Sequence, residues 1–349
     1  MNLFSITELK KTAREFSPID ATIHAQIENI ALKEASNGKP FREIKLRDAD
    51  DTMTLRAWSD TEAFENSSSL ELGAFVSVTG SFSHSSSFGL DAKRWEIAPL
   101  DEDAVESLLV GSIDRKALLD NCETIIVNAI ASITDPRLKG LCGKFLEQYG
   151  ARFRRSAAAR GNHHARRGGL LEHTSRMMES AIALCGVYPE LNRDLVVAGV
   201  LFHDTGKLWE TCPPERGFGI VPELRGELLG HLSIGIELIN TLWRELPKDG
   251  WEIHKPSSEE LRLHLLHLVA SHHGQLEFGS PVLPKTPEAA LLHFVDNIDA
   301  RMEMFFSAYR SADLDREGPM DWVRALGVSP VPALECFVPP MSAQHELPL

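Results

Sequence analysis

The residues able to do chemistry stand in a definite order: His173, then His203-Asp204, then His231, then His272-His273, and last Asp296. Imidazole and carboxylate are preferred ligands of divalent transition metals, and several of them carried by different helices can converge on one pocket. A lone histidine in such a series would be an ordinary core or surface residue. The doublet His203-Asp204 is different, because it follows the apolar run LVVAGVLF, where an imidazole and a charge are costly to bury unless something pairs with them. A metal would be that partner. Asp296, within LLHFVDNIDA, makes the same point for a carboxylate on a largely apolar helix.

Lys207 falls at the end of the same helix as His203, where its ammonium can clamp a phosphate oxygen or simply complement the helix dipole. His273, beside a candidate ligand, could protonate a leaving oxygen or reach a metal. His264, His267 and His293 read as structural. Imidazoles and carboxylates without thiolate suit Mn²⁺, Fe²⁺, Co²⁺ or Zn²⁺ about equally by ligand type.

The elements that must position these residues follow from periodicity. From Ile19 to about Pro99 apolar and polar residues alternate in segments separated by turn formers, as in Ile23, Ala25 and Ile27 or Ile44 and Leu46. Five strands emerge. With an irregular, partly helical stretch from Thr61 to Leu70 between the third and fourth, they match a five-stranded OB-like β-barrel. After Asp101 the period becomes helical: Leu118, Leu119, Cys122, Ile125, Ile126 and Ile130 keep three- and four-residue spacing. Ser257 with Glu260 predicts a capping box, and Thr286-Pro287 predicts another helix start. The expected architecture is multidomain: a barrel over residues 1–108, an all-α helical bundle over 109–317, and a proline-rich tail over 318–349.

The 349 residues include 36 basic and 50 acidic side chains, a formal charge of −14. That total opposes nucleic-acid binding, which depends largely on neutralising phosphates. Local distribution points the other way. From Arg137 to Arg167 nine basic residues, among them Arg152, Arg154, Arg155, Arg160, Arg166 and Arg167, face the single acid Glu147. The alternative is a solvated face of helix and loop. The longest apolar run, Leu195 to Phe202, is far short of a membrane span, and the start MNLFSITELKK is no secretory signal. Five scattered cysteines without CxxC spacing read as core fillers in reduced surroundings. A cytoplasmic protein with no membrane partner is expected.

The doublet resembles the one that names the HD superfamily of metal-dependent phosphohydrolases. The segments GGLLEHT, LFHDTGK, GH at Gly230-His231, SHHGQLEFGSPVLPKTPEA and LLHFVDNIDA narrow the resemblance to the YhaM family, bacterial 3′-to-5′ exoribonucleases that join an OB domain to an HD domain. It covers roughly residues 19 to 310. The resemblance implies that His173, His203, Asp204 and Asp296 hold one ion, with Asp204 bridging to a second held by His231 and His272. Two such ions, manganese by resemblance, would activate water against the terminal phosphodiester and release nucleoside 5′-monophosphates. Catalytic roles then fall to Asp204, Lys207 and His273. His163 and His164 lie in a family-like segment within the basic stretch and are expected, with Arg154, Arg155, Arg160, Arg166 and Arg167, to contact substrate.

The expected partner is single-stranded RNA, with single-stranded DNA as a second substrate, and the resemblance implies a homo-oligomer. In the barrel Arg42, Lys45, Arg56, Trp58, Phe82, Phe88, Lys93, Arg94 and Trp95 are candidates for strand contact, about half of them core. Two other readings stand beside this one: an HD phosphohydrolase acting on a small nucleotide, and a single-strand-binding factor with an idle metal site.

Overall fold

The computed structural model describes residues 2–13, 17–85, 89–161, 164–221, 223–311 and 318–334. A short strand, β1 (Asn2–Phe4), and a helix, α1 (Ile6–Thr12), precede the first long strand. Sequence alternation did not reveal them, because neither is long enough to show a period. Ser5 caps α1 in a capping box with Glu8, and Ile6 and Leu9 are fully buried in the core of the sheet. Then come β2 (Ile19–Glu34), β3 (Pro40–Arg47), β4 (Thr52–Trp58), the short helix α2 (Glu62–Asn66), β5 (Phe75–Ser85) and β6 (Gly89–Pro99). The alternation read from β2 is realised: Ala21, Ile23, Ala25 and Ile27 are buried.

The expected barrel is not. The sheet has six strands, five on the path β4-β3-β2-β5-β6 and β1 pairing β2 in parallel off that path. Among the described residues no ladder joins β4 to β6, so the sheet does not close. The end strands β4 and β6 approach each other without pairing, and α2 packs against both with Ala63 buried. The five strands expected between Ile19 and Pro99 and the helical break are present, with β1 added as a sixth, but neither feature distinguishes an open sheet from a closed one.

The helices are α3 (Glu102–Val110), α4 (Ile113–Ala131), α5 (Pro136–Arg155), α6 (Gly169–Val187), α7 (Arg193–Phe202), α8 (Leu224–Glu245), α9 (Ser258–Ser271) and α10 (Pro287–Ser311). Ser257 accepts from the Glu260 amide, the N-cap half of the expected capping box, and Thr286 accepts from the Ala289 amide. Helix α7 is the central rod, with every residue from Leu195 to Phe202 buried against α5, α6, α9 and α10. A helix apolar on all sides must lie in the middle of its bundle, and whatever ends it lies deep as well. Its own core is separate from that of the sheet.

Sheet and bundle meet at the loop before α8. Phe218 packs its ring on Phe75 and donates its amide to Gln26 Oε1 at 2.8 Å, while Arg115 reaches Asp50 at 3.6 Å. In the tail a bridge pairs Val323 with Val328, and residues 335–349, with Cys336, lie outside the described residues. Among those residues no helix is long and apolar enough to cross a membrane.

Candidate metal centre

Each inner side chain is delivered by the end or the inward face of a helix. His173 is on the first turns of α6, His203 caps the C-terminus of α7, and Asp204 follows it into a 3-10 turn, Thr205–Leu208. His272 caps the C-terminus of α9, and Asp296 faces inward from α10. Two helix C-termini therefore point their carbonyl ends at the same place, which favours positive charge there. His231 comes from α8 immediately after Gly230, whose φ of 68° breaks the helix and turns the histidine amide toward Glu210. The 3-10 turn approaches that break so closely that a Cβ on Gly206 would sit 1.9 Å from the His231 carbonyl oxygen. Only glycine fits there.

The six residues expected as ligands meet. His203 Nε2 lies 3.3 Å from His173 Nε2 and 3.2 Å from Asp204 Oδ2, and His173 Nε2 is 3.3 Å from Asp296 Oδ1. On the other side of Asp204, Oδ1 is 3.6 Å from His272 Nε2 and 3.7 Å from His231 Nε2. His273 Nε2 is 3.1 Å from His231 Nε2, and Lys207 Nζ rests 2.6 Å from Asp204 Oδ2.

All the inner rings turn the same edge inward, because the other edge is held. Nδ1 of His203 donates to Val200 O, Nδ1 of His272 to Val269 O and Nδ1 of His273 to Phe278 O, each at 2.7–2.8 Å. Since a carbonyl can only accept, the proton sits on Nδ1 and the Nε2 lone pair faces the centre. Carboxylates do the same for the remaining two, Asp299 at 2.6 Å from His173 Nδ1 and Glu210 at 3.1 Å from His231 Nδ1. Such backing fixes ring orientation and raises ligand basicity.

The electrostatics are those of a site built around cations. Burial works against charge on Asp204, but Lys207 and His203 outweigh it and hold the carboxyl well below its usual range. Asp296, opposed likewise by burial, is held low by His173. Burial pushes His272 down to about 4, whereas His173, also opposed by burial, is raised to about 9 by Asp296 and Asp299. One carboxylate oxygen of the centre remains unanswered. Asp204 Oδ1 is buried and accepts no hydrogen bond, with two imidazole Nε2 atoms just beyond bonding distance. An ionised oxygen left so in the interior is strongly unfavourable unless a cation meets it, and the donor set around it fits a divalent ion.

Several residues in this assembly escaped sequence reasoning. Asp299 and Glu210 are the carboxylates behind two rings; the Asp296/Asp299 spacing of three on one helix was the available signal. His293, read as structural, holds His272 O at 2.9 Å. A buried ion network also backs α6: Glu172 takes Arg115, Arg166 and Arg176, and Glu303 takes Arg166 and Arg176.

The residues expected at substrate are scattered. His164 is buried with Nε2 at 3.0 Å from Asp299, behind the inner rings, and His163 lies outside the described residues. Arg166 belongs to the ion network, Arg154 pairs with Asp120 and Glu123, and Arg160 pairs with Glu227. Arg155 and Arg167 bond carbonyls of the loop from Pro213 to Gly217. In the sheet, Phe82 and Trp95 are core, Lys45 pairs with Glu28, and Arg42 lies over Phe64. Trp58 is half-buried against Phe41 and Lys39, and Phe88 is outside the described residues.

A bundle that gathers histidines and aspartates in this order is the HD arrangement, and the HD domain model matches residues 170–301. The 3'-5' exoribonuclease YhaM of Bacillus velezensis is 32% identical over 272 residues, 77% of this chain and 81% of that protein. That of Oceanobacillus iheyensis is 33% identical over 275 residues, 77% and 80%, and that of Bacillus subtilis 32% over 274, 77% and 81%. The chain belongs to the YhaM family, and is an HD-superfamily phosphohydrolase.

Proposed function

We propose that this protein shortens single-stranded RNA from its 3′ end, releasing nucleoside 5′-monophosphates, and that it accepts single-stranded DNA as well. The observation that carries this reading is the buried, unanswered Asp204 Oδ1 between His231 and His272, with His173 and His203 near the other oxygen and Asp296 against His173. His173, His203, Asp204 and Asp296 would hold one divalent ion, manganese, and Asp204, His231 and His272 a second. When bound, such ions acidify water and draw charge from phosphate oxygens.

The chain's own groups do the rest. Lys207 Nζ, anchored on Asp204, presents its remaining protons to a non-bridging phosphate oxygen. His273 has its Nδ1 proton committed to Phe278 O, so Nε2 offers a lone pair and no proton. That supports His273 as a further ligand beside His231 and His272, with the leaving oxygen protonated from solvent. Of the arginines, Arg154 and Arg160 are exposed enough to meet a strand, whereas Arg166 holds the scaffold. The functional units are residues 1–108 for strand contact and 109–317 for hydrolysis, followed by the tail; the working location is the cytoplasm and the working form an oligomer.

The test is a 5′-labelled 20-mer RNA incubated with Mn²⁺. A ladder descending from the 3′ end, absent with chelator or with His203→Ala, is the expected result. Internal cuts, or uncut strands alongside turnover of free mononucleotides, would overturn the reading.

A further inference from the structure

Resting on the nuclease reading above, we propose that the ring of Phe278 is the platform on which the terminal base of the strand stacks. The loop after His273 is built to hold that ring outward. Gly274 has φ +77°, and a Cβ there would lie 2.2 Å from the His293 ring, so the chain turns tightly over His293. The loop then closes on itself. Gln275 O accepts from the amides of Phe278 at 3.2 Å and Ser280 at 3.3 Å, and Leu276 O from that of Gly279 at 3.0 Å.

The two ends of Phe278 do different things. Its carbonyl points inward and takes the Nδ1 proton of His273, whose Nε2 stands 3.1 Å from His231. Phe278 as a residue is 58% exposed, as is Leu276 beside it. A phenyl ring left in water forgoes the burial that would stabilise the fold, and nothing in the loop's hydrogen bonding needs it. One peptide group thus separates an exposed aromatic face from a histidine of the constellation. An enzyme that removes every nucleotide in turn must hold the end of its substrate without reading the base. Stacking does this, because every base has a face, whereas hydrogen bonds to base edges would discriminate. The neighbouring Leu276 widens the apolar shelf.

The experiment compares two otherwise identical single-stranded RNA oligomers, one ending in uridine and one in an abasic ribose, bound to the full chain in chelator so that neither is consumed. Wild type should prefer the base-bearing strand by about tenfold. Phe278→Ala should bind both strands as wild type binds the abasic one, and Phe278→Tyr should retain the preference. Backbone carbonyls are unchanged in both variants, so His273 keeps its orientation. With Mn²⁺ present, Phe278→Ala should raise KM on the uridine-ended strand and leave kcat within about twofold. Equal discrimination by wild type and Phe278→Ala, equal weakening on both strands, or no preference in wild type would each overturn the proposal. Failure of the nuclease reading has a different signature: no protein shortens any strand, whatever the base comparison shows.

Discussion

Glu210 touches the His231 ring at Nδ1 and the His231 amide at 2.7 Å, so one carboxylate fixes both the side chain and the helix break that delivers it. Glu210→Ala should therefore weaken metal binding by about 10–100-fold, measured by calorimetric titration with Mn²⁺, while cleavage recovers at saturating metal. An unchanged affinity would remove its orienting role. Residues of this kind mark the limit of what sequence shows. His203-Asp204 was legible because the two are adjacent and end an apolar helix. Asp299, 126 positions from the ring it backs, becomes a partner of His173 only when α10 lies against α6. The partners of the arginines were hidden for the same reason: a run of positive residues looks like one face until each is seen with its acid, as Arg166 with Glu172 and Glu303.

At the level of elements, the close approach of the Thr205–Leu208 turn to α8 has a direct test. Gly206→Ala forces the His231 backbone away, and should lower cleavage at least tenfold and destabilise the bundle by about 1–3 kcal/mol in urea unfolding. Asp135 is a second sensitive point. It caps α5 through the amides of Arg137 and Leu138 and pairs with the buried Arg137 guanidinium. Asp135→Ala removes the cap and strands a buried cation, a loss of about 3–5 kcal/mol. Although burial opposes it, Arg137 beside Asp135 lowers its carboxyl from the ordinary value. This stabilisation is present above the unfolded-state carboxylate pKa and is lost as pH falls through the lowered folded value, so acid should narrow the gap between wild type and Asp135→Ala. Helix starts were readable at Ser257 and Thr286 because a cap is a local event. Closure of the sheet was not, since whether β4 and β6 pair along their edges is a tertiary fact with no mark in strand count.

The whole molecule is joined where Phe218 leaves the bundle for the sheet. This residue lies on the loop between Lys207 and His231, so the sheet grips the segment that connects two parts of the metal centre. Phe218→Ala should cost about 3–5 kcal/mol and split a single calorimetric transition into two, one for each core. A single transition at an unchanged midpoint would show the junction to be slight. With a formal charge of −14, the molecule as a whole repels a polyanion, and strand capture should fall only gradually with added salt, measured by titrating KCl against binding, because few exposed cations meet phosphate.

The donor set itself has a consequence for how the protein is made. Imidazoles and carboxylates, with no thiolate among them, bind later first-row ions more tightly than earlier ones, and nothing in the ring orientation reverses that order. Supply, then, decides occupancy. Cells grown in zinc-rich medium will yield zinc-loaded protein, and its elemental content will report the broth it came from.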